Sequence, residues 1–333
     1  MWQPETVYLN TATYGLPPAP AWEALQAALE DWRGGRTSFE AWTETTAVAR
    51  TEFATLVGAQ PTGVAVGATV SGLVGTIAAS LPRGARVLGV EDEFTSLIFP
   101  FMAAGAETTL VALDRLADAV DARTDVVAVS AVQSASGAVA PLAEIAAAAR
   151  THGARLVVDG TQACGWLPLA AGDFDALVCG AYKWLMSPRG TAFMAVGEAL
   201  AERLVPFQAG WFAGEDVYGT YYGGPLRLAP DARRFDTSPA WFSWVGTAPA
   251  LRVVNELGIE SIHEHDVRLA NRFRAGLGLP PGDSAIVSAD VPDAQERLAR
   301  AGIQAAARAG RLRASFHVYN SDADVDAALA ALA

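Results

Sequence analysis

The sequence predicts an α/β fold on a mostly parallel sheet. Short β-branched runs alternate with alanine-rich helical patterns, and the apolar runs end in polar or glycine-rich turns. The 333 residues are 51% hydrophobic and 18% charged, enough for a substantial core and about two domains. In chain order, "AWEALQAALEDW" and "AWTETTAVARTEFATLVGA" read as helices, the second stopping at Gly58. "GVAVGA" reads as a strand running into the glycine-rich helix start "GATVSGLVG". "ARVLGVEDEF", "TDVVAVSAVQS", "ARLVVDGTQ" and "FDALVCGAYK" read as four more strands, with the helix "LAEIAAAARTHG" among them. After about residue 205 glycine, proline and aromatics dominate, in a stretch too apolar for a disordered linker. It reads as a long ordered loop walling a site or an interface. One helix is expected over "TAPALRVVNELGIESIHEHDVRLANRFRAGLG", then a small α+β unit from "SAIVSAD" through "RLRASFHVY" to a closing helix from Asp322.

The formal net charge of −12 argues against non-specific nucleic-acid binding and against an anionic membrane surface. The two cysteines, Cys164 and Cys179, lie in apolar contexts and form no paired-cysteine metal motif, so no metal site is expected. No apolar run of about 18 residues appears, and the N-terminus has no basic region followed by an apolar stretch. The expected location is the cytoplasm.

In a parallel sheet, ligands bind beyond the C-terminal ends of the strands. Thr69, Phe94, Gln133, Asp159 and Lys183 all fall there. "GATVSGLVG" offers first-turn N–H groups and the Thr69 hydroxyl as a phosphate seat; the same pattern also suits tight packing of a glycine-rich helix. Asp159 closes an apolar strand, where a carboxylate is costly without a cationic partner. A protonated pyridine nitrogen is one such partner, and a helix N-cap is the other reading. Lys183 sits between Tyr182 and Trp184 in a chain that has few lysines and prefers arginine. Either its amine is desolvated and reactive, or its stem lies along a helix with its head in water.

Taken in order, these residues resemble the class V aminotransferase family, which includes cysteine desulfurases and kynureninases. The resemblance runs from "YLNTATYG" to "RASFHVYNSDADVD". It implies a fold type I pyridoxal 5′-phosphate enzyme: a mostly parallel seven-stranded sheet in a large domain over 17–250, a small C-terminal α+β domain over 251–333, and an N-terminal segment, 1–16, near the site. By the same resemblance Ala68 and Thr69 belong to the phosphate turn, Asp159 faces the pyridine nitrogen, Gln162 the ring hydroxyl, and Lys183 is the Schiff-base lysine. Phe94 stacks on the ring, Tyr182 reaches the phosphate, and Ser134 completes the cofactor set. Arg313 clamps the substrate carboxylate, which suits a bidentate guanidinium, with Gln133 and Trp211 on the substrate side. "RRFDTSPAWF", through Ser238, reaches the neighbouring cofactor across a homodimer.

The departures narrow the chemistry. Desulfurases carry a histidine over the ring and another before the lysine; here Phe94 and Tyr182 stand in those places. An aromatic ring stacks but shuttles no protons, which leaves that work to Lys183. Between Arg308 and Arg313 stands only "AGRL", without the loop and thiol that would take sulfur as a persulfide. Both cysteines read as small buried hydrophobes. Of the histidines, His152, His263 and His265 read as exposed helical residues, and His317, four after Arg313, is a further candidate. The expected activity is direct C–S β-elimination on an S-substituted cysteine. "AGWFAGED", "RRFDTSPAWF" and "YKWLMSPRGTAF" look most like the C–S lyases of actinobacterial ergothioneine biosynthesis, which act on hercynylcysteine sulfoxide. Trp211, Tyr218, Tyr221 and Tyr222 would wall a pocket for a bulky cationic side chain. The alternatives are an aminotransferase or epimerase of the same fold, and a catalytically degenerate cofactor-binding protein.

Overall fold

Strand alternation decides how the core divides. The structure, a computed structural model, describes residues 1–37 and 39–333. The chain opens with β1 (Val7–Tyr8), α1 (Ala19–Arg33) and α2 (Phe39–Leu56), and α2 does end before Gly58, whose φ is +64°. Then come β2 (Val64–Gly67), α3 (Val70–Ala79), β3 (Arg86–Val90), α4 (Thr95–Ala103), β4 (Glu107–Val111) and α5 (Leu116–Ala119). β5 (Val126–Ser130), α6 (Leu142–His152), β6 (Arg155–Asp159), β7 (Ala176–Gly180), β8 (Ala192–Val196) and α7 (Glu198–Ala201) follow.

These strands form one seven-stranded sheet in the order β2-β8-β7-β6-β5-β3-β4. β8 runs antiparallel to both its neighbours, and the remaining pairings are parallel. Successive side chains point to opposite faces. Val87, Ala128 and Val178 pack under Leu73 and Ile77 of α3 and Phe101 of α4. Leu88, Val129 and Leu177 pack on the other face with Phe53 of α2 and Ile145 of α6. Phe53 stacks on Phe193 of β8 with centroids 4.4 Å apart.

Beyond the sheet come α8 (Trp241–Leu257), α9 (Ile259–Gly276), β9 (Ile286–Ala289), α10 (Ala294–Arg300), β10 (Ile303–Gln304), β11 (Ala306–Arg308), β12 (Arg311–Ser315) and α11 (Asp322–Leu332). β11, β12 and β9 make a second, antiparallel sheet, and β1 pairs with β10. α8 is continuous through residues 250 and 251, where the sequence reading changes domain. The single helix expected here is two, because Gly258 takes φ +80°, ψ +130°, which breaks the helix. β4 and β8 are two strands the sequence reading did not name. The turn between β11 and β12 consists of Ala309 and Gly310, at φ +48° and +75°. Two left-handed residues make the tightest antiparallel connection.

Candidate active site

The C-terminal ends of β2, β3, β5, β6 and β7 open on one cavity of about 240 Å³. α3 supplies one wall. Thr69 is its N-cap, in extended conformation, and its Oγ1 accepts from Gly72 N at 3.1 Å. The first N–H groups of a helix have no carbonyl within it to accept them, so this end suits an anion. Ala68, Val70 and Ser71 line the same wall. β6 delivers Asp159, 4% exposed, whose Oδ1 accepts from Thr161 N at 2.8 Å. Burial first, and the nearby Glu93, push this carboxyl up to about 6, against the hydrogen bonds from Thr161 and the charge of Lys183.

β7 runs on to Lys183, 5% exposed. Its Nζ makes no hydrogen bond or ion pair among the described residues; it lies 5.4 Å from the Phe94 ring centroid and 5.7 Å from that of Tyr182. Burial pulls it down to about 8, opposed by Asp159 and assisted by Arg313. Lys183 is also the single lysine of all 333 residues. The backbone around it is pinned by the N-terminal segment, where Gly15 N donates to Tyr182 O at 2.9 Å. A Cβ on Gly15 would stand 1.9 Å from Lys183 O. Gly15→Ala is expected to lower stability by about 1–3 kcal/mol and to displace the lysine. A wild-type denaturant midpoint would contradict that.

Arg313, on β12, is 2% exposed and donates to Ser134 O at 2.7 Å and Thr13 Oγ1 at 2.7 Å. Its Nε is buried without a partner among the described residues. Burial first, and then Arg308, pull it down to about 10, so it stays cationic at neutral pH. Arg308 also reaches Thr13 Oγ1, at 3.3 Å.

The cavity therefore gathers Ala68, Thr69, Phe94, Ser134, Asp159, Gln162, Tyr182 and Lys183. Phe94 is 45% exposed and precedes α4. Gln162 is engaged at both ends: Nε2 donates to Ala12 O and Ser134 Oγ, and Oε1 accepts from Trp184 Nε1. Arg313 meets the cavity through Ser134. Gln133 lies off the cavity wall, bonded to Glu93 Oε2 at 3.2 Å. Trp211 also lies off it, packed on Phe212 and Tyr221, and Ser238 is exposed and away from it. His263 and His265 are half-buried rather than exposed: the first stacks on Trp166, and the second meets Asn320 O. His317 is fully buried, behind the lysine.

The model of the aminotransferase class-V family matches residues 100–298. The chain belongs to the aminotransferase class-V family. This class-V chain is 27% identical over 333 aligned residues to the uncharacterized aminotransferase YcbU of Bacillus subtilis (strain 168), covering 90% of this chain and 87% of that one. It is 28% identical to the isopenicillin N epimerase of Streptomyces clavuligerus, covering 88% and 79%. Its fold matches a solved complex of the cystine C–S lyase C-DES with its product cysteine persulfide, at TM-score 0.87 and 21% identity, over 98% and 97% of the two chains. As a class-V aminotransferase relative, the protein is a pyridoxal phosphate-dependent enzyme.

The residues present fit that cofactor. A helix N-terminus with a hydroxyl suits its phosphate, a buried carboxylate suits its ring nitrogen, and a buried amine without a partner among the described residues suits its aldehyde. Sequence reasoning missed Thr13, Ser71, Ser130, Thr161 and Arg189. Thr13 meets Arg313 across 300 residues. Arg189 lines the cavity and stacks on Tyr182 at 4.8 Å. The "PRG" turn after Lys183 was a readable signal for Arg189; nothing local marks Thr13.

Proposed function

We propose that the enzyme is a C–S β-lyase that removes the sulfur substituent from an S-substituted cysteine. The observation that carries this reading is the absence of a thiol from the cavity wall: Cys164 and Cys179, the two cysteines of the sequence, are buried away from it. Sulfur then leaves with its own substituent instead of passing to an enzyme thiol.

In this reading Thr69, with the start of α3, and Tyr182 would hold the phosphate. Asp159 would keep the ring nitrogen protonated, Gln162 would serve the ring hydroxyl, and Phe94 would cover the ring face. Bound pyridoxal phosphate supplies an electron sink for the bond broken at Cα. Arg313 orients the substrate by its carboxylate, helped by Arg308 and Thr13. Lys183 takes the Cα proton; burial lowers the cost of its neutral form. Gln133 donates to Glu93 off the cavity wall, and this reading gives it no contact with substrate.

Arg313→Gln is expected to raise KM for the amino acid about ten- to a hundredfold, the worth of a charged hydrogen-bonded pair, with a smaller change in kcat. An unchanged KM would remove Arg313 from the substrate.

The substrate we favour is a hercynylcysteine sulfoxide-like compound, handled by a homodimer in the cytoplasm. Trp211, Tyr218, Tyr221 and Tyr222 form one contact chain with exposed members, which suits a second protomer's cavity and a cationic side chain. The exposed Ser238 supports the same arrangement. Among the described residues no helix is long and apolar enough to cross a membrane.

Release of pyruvate from S-substituted cysteines, without an added keto acid, tests the lyase reading. Likeness to an epimerase over most of the chain favours a second reading, epimerisation. Racemised substrate with no pyruvate would establish that one instead.

A further inference from the structure

Behind Lys183 lies a buried polar chain that substrate handling leaves unused. His317 and Asp266 are both fully buried. His317 follows β12, and Asp266 projects from α9. His317 Nδ1 lies 2.7 Å from Asp266 Oδ2, and its Nε2 lies 2.9 Å from Trp184 O. A carbonyl only accepts, so Nε2 carries a hydrogen. The Nδ1–Asp266 contact then holds one proton, on either side of it. Both arrangements leave Nε2–H aimed at Trp184 O. Asp266 Oδ1 has no partner among the described residues, so this imidazole is the one side chain its carboxyl bonds.

Burying such a pair is costly, and it is a poor source of stability by itself. What it does here is fix geometry. The carbonyls of three successive residues are each held from a different direction. Tyr182 O accepts from Gly15 N, Lys183 O from Met186 N, and Trp184 O from His317. The Trp184 ring also meets the His317 ring edge-on at 5.2 Å. His317 is itself clamped, its N–H donating to Asn320 Oδ1 at 2.9 Å.

We propose that His317, oriented by Asp266, is a positioning residue that holds the Lys183–Trp184 backbone so that the lysine amine points into the cavity. This rests on the reading of Lys183 as the working amine. The single lysine makes a clean test. In the cofactor-free protein, acetic anhydride labels Lys183, and peptide mapping separates it from the N-terminal amine. In the loaded protein, borohydride fixes pyridoxal phosphate to the same residue.

Two variants differ in reach, and so in which contact of the imidazole they can keep. His317→Gln extends an amide N–H to Trp184 O; His317→Asn is too short. His317→Asn is expected to change the Lys183 acylation rate, and to lower the rate of cofactor fixation, on the order of tenfold or more. His317→Gln is expected to stay within about twofold of wild type on both. Equal behaviour of the two variants, whether both normal or both impaired, overturns the proposal. Failure to fix cofactor in the wild type would instead count against the lysine reading, and the acylation comparison would still decide on His317.

Discussion

Replacing Lys183 by alanine is expected to lower turnover by about two to four orders of magnitude, the range for losing a positioned acid–base group. No second lysine exists to substitute for it, and the N-terminal Met1 is exposed and does not line the cavity. Steady-state kinetics at saturating cofactor would show the loss, and residual activity above a tenth of wild type would contradict it. The same burial sets a pH dependence in the cofactor-free protein. The folded lysine releases its proton near pH 8, against 10.5 for the free side chain. Between those values the unfolded chain binds more protons, so stability rises with pH. The gain is on the order of 3 kcal/mol across that window. Lys183→Met removes this slope. Denaturant unfolding at pH 7 and pH 10, wild type against Lys183→Met, measures it.

Asp159→Asn is expected to lower kcat by about a hundred- to a thousandfold, as for other preorganised charges in a closed site, while KM changes little. The amide keeps the size of the carboxylate and the bond from Thr161 N, and removes the charge that would hold a proton on the ring nitrogen. Because the free carboxyl titrates near 6, cofactor affinity is expected to fall as pH drops below that value. Retained visible absorbance with lost turnover would mark Asp159 as the ring acid. Wild-type turnover in the variant would remove it from that role.

Much of this site stands at places where local pattern and topology agree. Asp159 and Lys183 each follow an apolar β-branched run, and Thr69 begins a helix just after one. Period and position therefore point the same way. β4 escaped notice because it is a half-exposed edge strand beginning with Glu107, Thr108 and Thr109. β8 is a short run after a turn, and its antiparallel direction follows from pairing rather than from its residues. The break at Gly258 needed a backbone conformation that a helical pattern on both sides conceals. In the site, Thr13 and His317 act through long-range contacts, across 300 and 133 residues. No window of sequence holds both partners. Gln133, read from its place after a strand, bonds to Glu93 and does not line the cavity.

The central claim is that Lys183 is where the cofactor is attached. Incubation of the intact protein with pyridoxal phosphate, borohydride reduction and peptide mapping by mass spectrometry test it most directly. The account predicts one modified peptide, carrying the cofactor on Lys183. Modification confined to the N-terminal amine, or none at all, would contradict it.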